Sequence, residues 1–127
     1  MYVYEFVHMS YSWYDNDYSL YTSEIFSNYK DALIYFEGAM ESAYREYLKE
    51  ANVSTIEEFK ADDFCYLYAP DLSHEEYKND IQENSHIHFY ISLDEYGSET
   101  IELKKKRIMK FSWYDTPLGV FFIVLFV

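Results

Sequence analysis

His86-Ile-His-Phe-Tyr-Ile-Ser-Leu93, then Asp94-Glu-Tyr-Gly-Ser98, then the run from Glu99 to Phe111: this stretch decides the fold. Ile87, Phe89, Ile91 and Leu93 fall on one side of a period of two, with His86, His88, Tyr90 and Ser92 on the other. That alternation is the mark of a strand with one face buried. Asp94 to Ser98, carrying Gly97, predicts a hairpin turn, and Glu99 to about Phe111 a long returning strand. Ile101 and Leu103 differ in parity from Ile108, which predicts a bulge near Lys105.

Working outward, Tyr2 to Met9 alternates Tyr2, Tyr4, Phe6 and His8 against Val3, Glu5 and Val7. Tyr18 to Phe26 alternates again, and Trp13 to Asp17 supplies turn residues, so the two runs predict a hairpin. Asn28 reads as a helix N-cap with Asp31 in the first turn, where the helix dipole favours a carboxylate. From there Tyr29, Leu33, Phe36, Met40, Ala43, Tyr47, Leu48 and Ala51 keep a helical spacing. Ser54 with Glu57 predicts a capping box opening a short helix to about Ala61, and Phe64 to Ala69 a strand stopped by Pro70. Ser73 with Glu76 repeats the box before a polar helix over 73–83. Thr116-Pro-Leu-Gly119 turns the chain into Val120–Val127, eight apolar residues. A membrane-spanning helix needs about 20, so this run predicts a strand buried on both faces.

The expected class is α+β: an antiparallel or mixed sheet of about five to six strands, one long helix packed on a face, and one or two short helices. A length of 127 residues suits a single domain, 1–127. Its parts are an N-terminal hairpin (1–26), a main helix (28–51) and a mostly β remainder (64–127). No positively charged leader opens the chain, and the lone Cys65 fits a reducing compartment, so a cytoplasmic location is expected.

Charge is distributed unevenly. The formal net charge is −13, yet five of the ten basic residues fall between Lys104 and Lys110, after 22 of the 23 acids. Lys104-Lys-Lys-Arg107 is expected to neutralise neighbouring acids in the fold and to blunt a sheet edge. With so much negative charge elsewhere, direct nucleic-acid binding is disfavoured. There are 16 tyrosines, so the acidic region is aromatic as well.

Motifs for catalysis are sparse. There is no phosphate loop, no Gly-rich nucleotide fingerprint, no Cys-x-x-Cys and no nucleophile elbow, and no cofactor is expected. Carboxylate pairs abound without a distinguished member, which argues against general acid–base chemistry. His86-x-His88 puts two imidazoles on one strand face, with His74, Glu75 and Glu76 as further donors for a metal. Met9-Ser-Tyr-Ser-Trp-Tyr-Asp15 echoes Met109-Lys-Phe-Ser-Trp-Tyr-Asp115, which reads first as two strand ends with similar turn chemistry and, as a functional alternative, as twin aromatic–acidic tips on one edge of the sheet.

In composition and size the chain resembles small acidic inhibitors that imitate nucleic acid, such as phage anti-CRISPR and anti-restriction proteins. The resemblance implies a non-enzymatic protein of the host cytoplasm that occupies the nucleic-acid site of a basic nuclease or effector. Duplex DNA carries a charge about every 1.7 Å of axis, so a mimic must display carboxylates in rows. Glu37/Glu41 and Glu46/Glu50 on the main helix begin such rows. The expected contact residues are Glu37, Glu41, Asp62, Asp63, Glu75, Glu76, Tyr77 and Asp80. One alternative is an immunity protein neutralising a nuclease toxin; another is a small metal-dependent hydrolase using His86 and His88. The C-terminal strand, if its edge is open, offers a homodimer contact.

Overall fold

The strand-period segments assemble into one sheet, and the helix-period segment lies across it. The computed structural model of the chain describes residues 2–13, 18–70, 86–112 and 121–126. Its elements are β1 (Tyr2–Ser12), β2 (Tyr18–Phe26), α1 (Tyr29–Glu50), α2 (Ile56–Ala61), β3 (Cys65–Tyr68), β4 (His86–Leu93), β5 (Gly97–Ser112) and β6 (Phe121–Phe126). The expected turns at 14–17 and 116–119, the helix over 73–83, and residues 120 and 127 of the last strand lie outside the described residues.

Five strands follow the order β2-β1-β5-β4-β3, every neighbour antiparallel, and β6 pairs with β5 off that path. The architecture is α+β, as the periodicities predict. β5 carries the topology. Arg107 lies opposite Tyr2 on one edge and Phe126 on the other. β6 therefore takes over the edge of β5 that β4 leaves at Lys104. One expectation fails here. The register between β1 and β5 runs unbroken from Gly97 to Arg107, so there is no bulge at Lys105. Ile108 keeps the parity of Lys104 and Lys106 and instead sits opposite Leu125 of β6. Within the basic run Lys104 and Arg107 are paired on both sides, whereas Lys105 and Lys106 have a described strand partner only on the β1 side.

The ends of α1 are set by local chemistry. Asn28 Oδ1 accepts from the N–H groups of Lys30 (2.8 Å) and Asp31 (3.3 Å). At the other end Asn52 takes a left-handed φ of 57°. Its N–H reaches the Lys49 carbonyl at 3.1 Å, and that of Val53 the Leu48 carbonyl at 3.0 Å. This is a Schellman termination, with asparagine in the place glycine usually takes. α2 starts one residue later than the predicted Ser54/Glu57 box. Thr55 Oγ1 accepts from the Glu58 N–H (3.1 Å), and the Glu58 carboxylate accepts from Ser54 N–H (3.3 Å).

α1 sets Leu33, Phe36, Ala43 and Tyr47 against Phe6 of β1, Ile87, Phe89 and Ile91 of β4, and Ile101 and Leu103 of β5. Phe59 of α2 completes this buried cluster. Val3 and Val7 have the opposite parity to Phe6 and are buried on the other side of β1. Among the described residues, no helix is long and apolar enough to cross a membrane. Gly97 is needed where the strands meet: a Cβ there would collide with the Tyr11 carbonyl oxygen of β1.

The two glycines among the described residues give opposite expectations. Nothing lies within 4 Å of a Cβ built on Gly38, in the middle of α1. Gly38→Ala should therefore raise stability by about 0.5–1 kcal/mol in urea unfolding, whereas Gly97→Ala should lower it. Phe36→Ala, which empties a fully buried site, should cost about 3–5 kcal/mol in the same measurement.

Candidate functional site

The C-terminal end of α1, the α2–β3 link and the β4–β5 turn meet at one end of the molecule. The link is shaped by Asp62, whose Oδ1 accepts from the Phe64 N–H at 2.9 Å, an Asx turn. It is tied to the turn by a bond from the Asp94 N–H to the Phe64 carbonyl, also 2.9 Å. Within the turn Glu95 holds a φ of 66°, uncommon for a residue with a side chain. Between these segments lies an open hollow of about 520 Å³, lined by Glu50, Asp62, Asp94, Glu95, Phe64 and Tyr96. No lysine or arginine among the described residues forms an ion pair with any of these four acids. The terminal carbonyls of α1 add their partial negative charge at the same end.

Aromatic side chains flank the hollow. Phe64, Tyr66 and Tyr68 alternate along the chain into the edge strand β3, and each is more than half exposed (64%, 58% and 53%). Tyr66 packs at 5.7 Å on Tyr90 of β4, and Tyr68 at 5.6 Å on His88. Cys65, between these rings, is half-buried, and burial followed by the charges of Asp62 and Asp94 holds its thiol above the usual range. The thiolate needed for nucleophilic chemistry is correspondingly disfavoured.

A second concavity, also about 520 Å³, runs between α1 and strands β1, β2 and β5. Phe6, Ile34, Tyr35 and Ala39 form its apolar wall, while His8, Thr22, Asp31, Ser42, Glu46 and Glu99 supply polar atoms. Glu99 is only 8% exposed because it shares the inward parity of Ile101 and Leu103 on β5. Its Oε2 stands 3.5 Å from His8 Nε2. That spacing allows ionic attraction, but the buried Nε2 has no hydrogen-bond partner. Glu46 accepts from the Tyr96 hydroxyl at 2.8 Å.

These groups shift one another. Burial raises the Glu46 pKa above the ordinary carboxylate range; the Tyr96 hydrogen bond opposes this, while Glu99 and the charge of Glu50 reinforce it. Much of the Glu46 side chain remains in water, which screens these effects. The phenols of Tyr47 and Tyr96 are both pushed far up, in each case by burial first. The charges of Glu99 and Glu46 add to this for Tyr47, and the Glu46 hydrogen bond and charge for Tyr96.

Of the expected contact residues, Asp62 lines the acidic hollow and Asp63 adjoins it in the chain. Glu37 and Glu41 stand elsewhere. Each precedes its counterpart, Glu46 or Glu50, by nine residues, about two and a half helical turns. The two pairs therefore lie on opposite flanks of α1 and do not form one row. Glu75, Glu76, Tyr77 and Asp80 lie outside the described residues, as does His74. Sequence reasoning did not single out Glu50, Asp94, Glu95, His8 or Glu99 as site residues. For His8 and Glu99 a signal was present: each is a polar residue at the inward parity of an apolar alternation.

The opposite sheet face holds the two strand histidines. His86 and His88 stack with ring centres 5.8 Å apart, and His86 Nε2 stands 3.6 Å from Glu102. Among the described residues no three His, Cys, Asp or Glu side chains gather where they would hold a metal ion. The basic run is partly internally neutralised: Lys104 pairs with Glu102 at 3.3 Å and Lys106 with Glu5 at 3.2 Å. Lys105 lies 4.4 Å from the Tyr2 ring centre. The echoed segments are not neighbours. β1 and β5 are antiparallel, with Ser12 opposite Gly97, so Ser12 and Ser112 lie at opposite ends of the sheet, roughly 50 Å apart at strand rise.

Two titrations check this electrostatic picture. An acid raised in the folded state favours folding while protonated. Its contribution is therefore present at low pH and is lost as pH rises from the unfolded value through the folded one. Glu46→Gln should accordingly flatten the pH dependence of melting temperature just above the normal carboxylate range. In an alkaline absorbance titration of phenolate, Tyr47→Phe and Tyr96→Phe should each remove a component that otherwise ionises late.

No protein-family model, no curated protein and no solved structure matches this chain, so the geometry above is what supports a functional reading.

Proposed function

We propose that this protein is a non-enzymatic inhibitor that docks its acidic end into the nucleic-acid groove of a basic nucleic-acid-processing protein. The observation that carries the reading is the convergence of Glu50, Asp62, Asp94 and Glu95, brought from three separate segments to one hollow without a described lysine or arginine paired to them. Carboxylates gathered around one hollow without a paired cation make that end of the molecule negative. A cationic groove is attracted to that charge over about a Debye length, roughly 8 Å at physiological salt. Phe64, Tyr66 and Tyr68 stand beside the charge as large, low-entropy anchors of the kind that dominate interface energy. Charge then governs the encounter rate and the choice of partner, while the rings govern residence.

The reading predicts two separable losses. Against a captured partner, the triple variant Asp62→Asn/Asp94→Asn/Glu95→Gln should associate more slowly, by on the order of tenfold at low salt, with a flatter salt dependence. Phe64→Ala and Tyr66→Ala should mainly speed dissociation. Surface plasmon resonance at several salt concentrations reads both, and duplex DNA should compete with the protein for its partner. Affinity that is flat with salt, or a complex indifferent to DNA, would rule the mechanism out.

A further inference from the structure

We propose that β2 is a self-association edge, along which two copies of this chain pair antiparallel, about a two-fold axis at Ser23, into one continuous sheet. Among the described strands β2 pairs with β1 alone and ends the sheet on one side, as β3 ends it on the other. An open edge offers a row of unpaired backbone N–H and C=O groups to any other strand, so folds usually shorten it, charge it or bulge it. β3 is short, four residues long, and Pro70 follows it closely. β2 has none of these devices. It runs for nine residues without lysine, arginine, proline or glycine, and its register against β1 is unbroken from Tyr18 to Tyr4's partner, Phe26. Ser19 to Ile25 are all exposed, with Leu20 at 51%, Tyr21 at 63% and Ile25 at 51%.

The order of side chains along the strand selects a second copy as its occupant. Residues directly opposite in an antiparallel pair point to the same face, so two copies related by a two-fold axis must pair residues of equal parity. A centre at Ser23 sets Leu20 against Phe26, Tyr21 against Ile25 and Thr22 against Glu24, each twice, with Ser23 against itself. Apolar side chains then meet apolar ones on both faces, and the strand's one charge meets a hydroxyl. Glu24 accepts from the Tyr35 hydroxyl of its own α1 at 3.2 Å, which holds its carboxylate towards that helix. Neighbouring centres fit worse. At Thr22 or Tyr21 they set Leu20 against Glu24 or Thr22, and at Glu24 they oppose two carboxylates.

The fold leaves room for this pairing. The axis stands normal to the sheet, so both α1 helices lie on the same side. α1 packs mainly over β1 and β5. The two helix axes are then about four strand spacings, roughly 19 Å, apart, which is well beyond contact. β3 lies at the far edge, so the acidic end stays free in each copy, and self-pairing requires nothing of it. Two chains of net charge −13 repel each other, so the dimer is weakest at low salt and tightens as salt screens the repulsion. Docking into a cationic groove has the opposite salt trend.

Sedimentation equilibrium of the full chain tests the edge. A monomer–dimer equilibrium is expected, with a dissociation constant that falls by about threefold or more between roughly 0.05 M and 0.5 M salt. Ile25→Lys puts a charge on an exposed edge position while lowering the net negative charge, so it reduces the general repulsion. It should nonetheless weaken the dimer by about tenfold or more. In a Cys65→Ser background, Ser23→Cys should form an intermolecular disulfide under mild oxidation. Opposed Cα atoms in an antiparallel pair stand about 4.5–5.5 Å apart, within disulfide range. Ser19→Cys in the same background should not cross-link, because its two copies would lie roughly 26 Å apart along the strands. A chain that stays monomeric at every concentration and salt overturns the proposal and leaves the edge to a strand of another protein. A dimer unchanged in Ile25→Lys, or cross-linking as fast at position 19 as at position 23, overturns it as well.

Discussion

The pairing of β5 is the constraint on which the rest of the structure depends. One strand of 16 residues accepts β1 along one edge and β4, then β6, along the other. Each of these registers fixes which side chains face α1. Sliding β5 by one residue would send Ile101 and Leu103 to the opposite face and bring Glu102 and Lys104 beneath the helix, so the buried set enforces the pairing. Gly97 belongs to the same constraint, because β1 passes too close at Tyr11 to admit a side chain.

That pairing also explains where the charge goes. A net charge of −13 opposes compaction, and among the described residues the fold answers with an uncharged core apart from Glu99. Lys104 and Lys106 are spent on neighbouring acids on the far side of the sheet. They are therefore unavailable to the end of the molecule where Glu50, Asp62, Asp94 and Glu95 meet. The neutralisation is local, and at the C-terminal end of α1 the helix dipole adds partial negative charge to those carboxylates.

His8 and Glu99 show how a polar pair enters a packed layer. Both follow the inward parity of their strands, and β1–β5 pairing sets Glu99 opposite Ser10 and His8 opposite Ile101, so the two meet diagonally. Glu46 arrives from the flank of α1 facing those strands, while Glu37 and Glu41 sit on the other flank by helix geometry alone. A groove remains because small residues, Gly38, Ala39 and Ala43, occupy this part of the helix.

Period and local chemistry by themselves determined the elements. The alternation of His86–Leu93, the N-cap at Asn28 and the helical spacing through Tyr47 predict what forms, because strand faces and helix ends are settled by residues close in sequence. The misreadings share one cause. Ile108 suggested a bulge because its parity was compared with Leu103, yet beyond Arg107 the strand has left β4 and lies against β6, where the inward side need not be the same. The Ser54/Glu57 box matched a spacing that Thr55 and Glu58 also match, and only the folded backbone chose between them. Tertiary structure alone decided which acids share a site. Residues 8, 46 and 99, like residues 50, 62 and 94, are brought together by long-range pairing and helix packing, for which a linear charge pattern carries no coordinate.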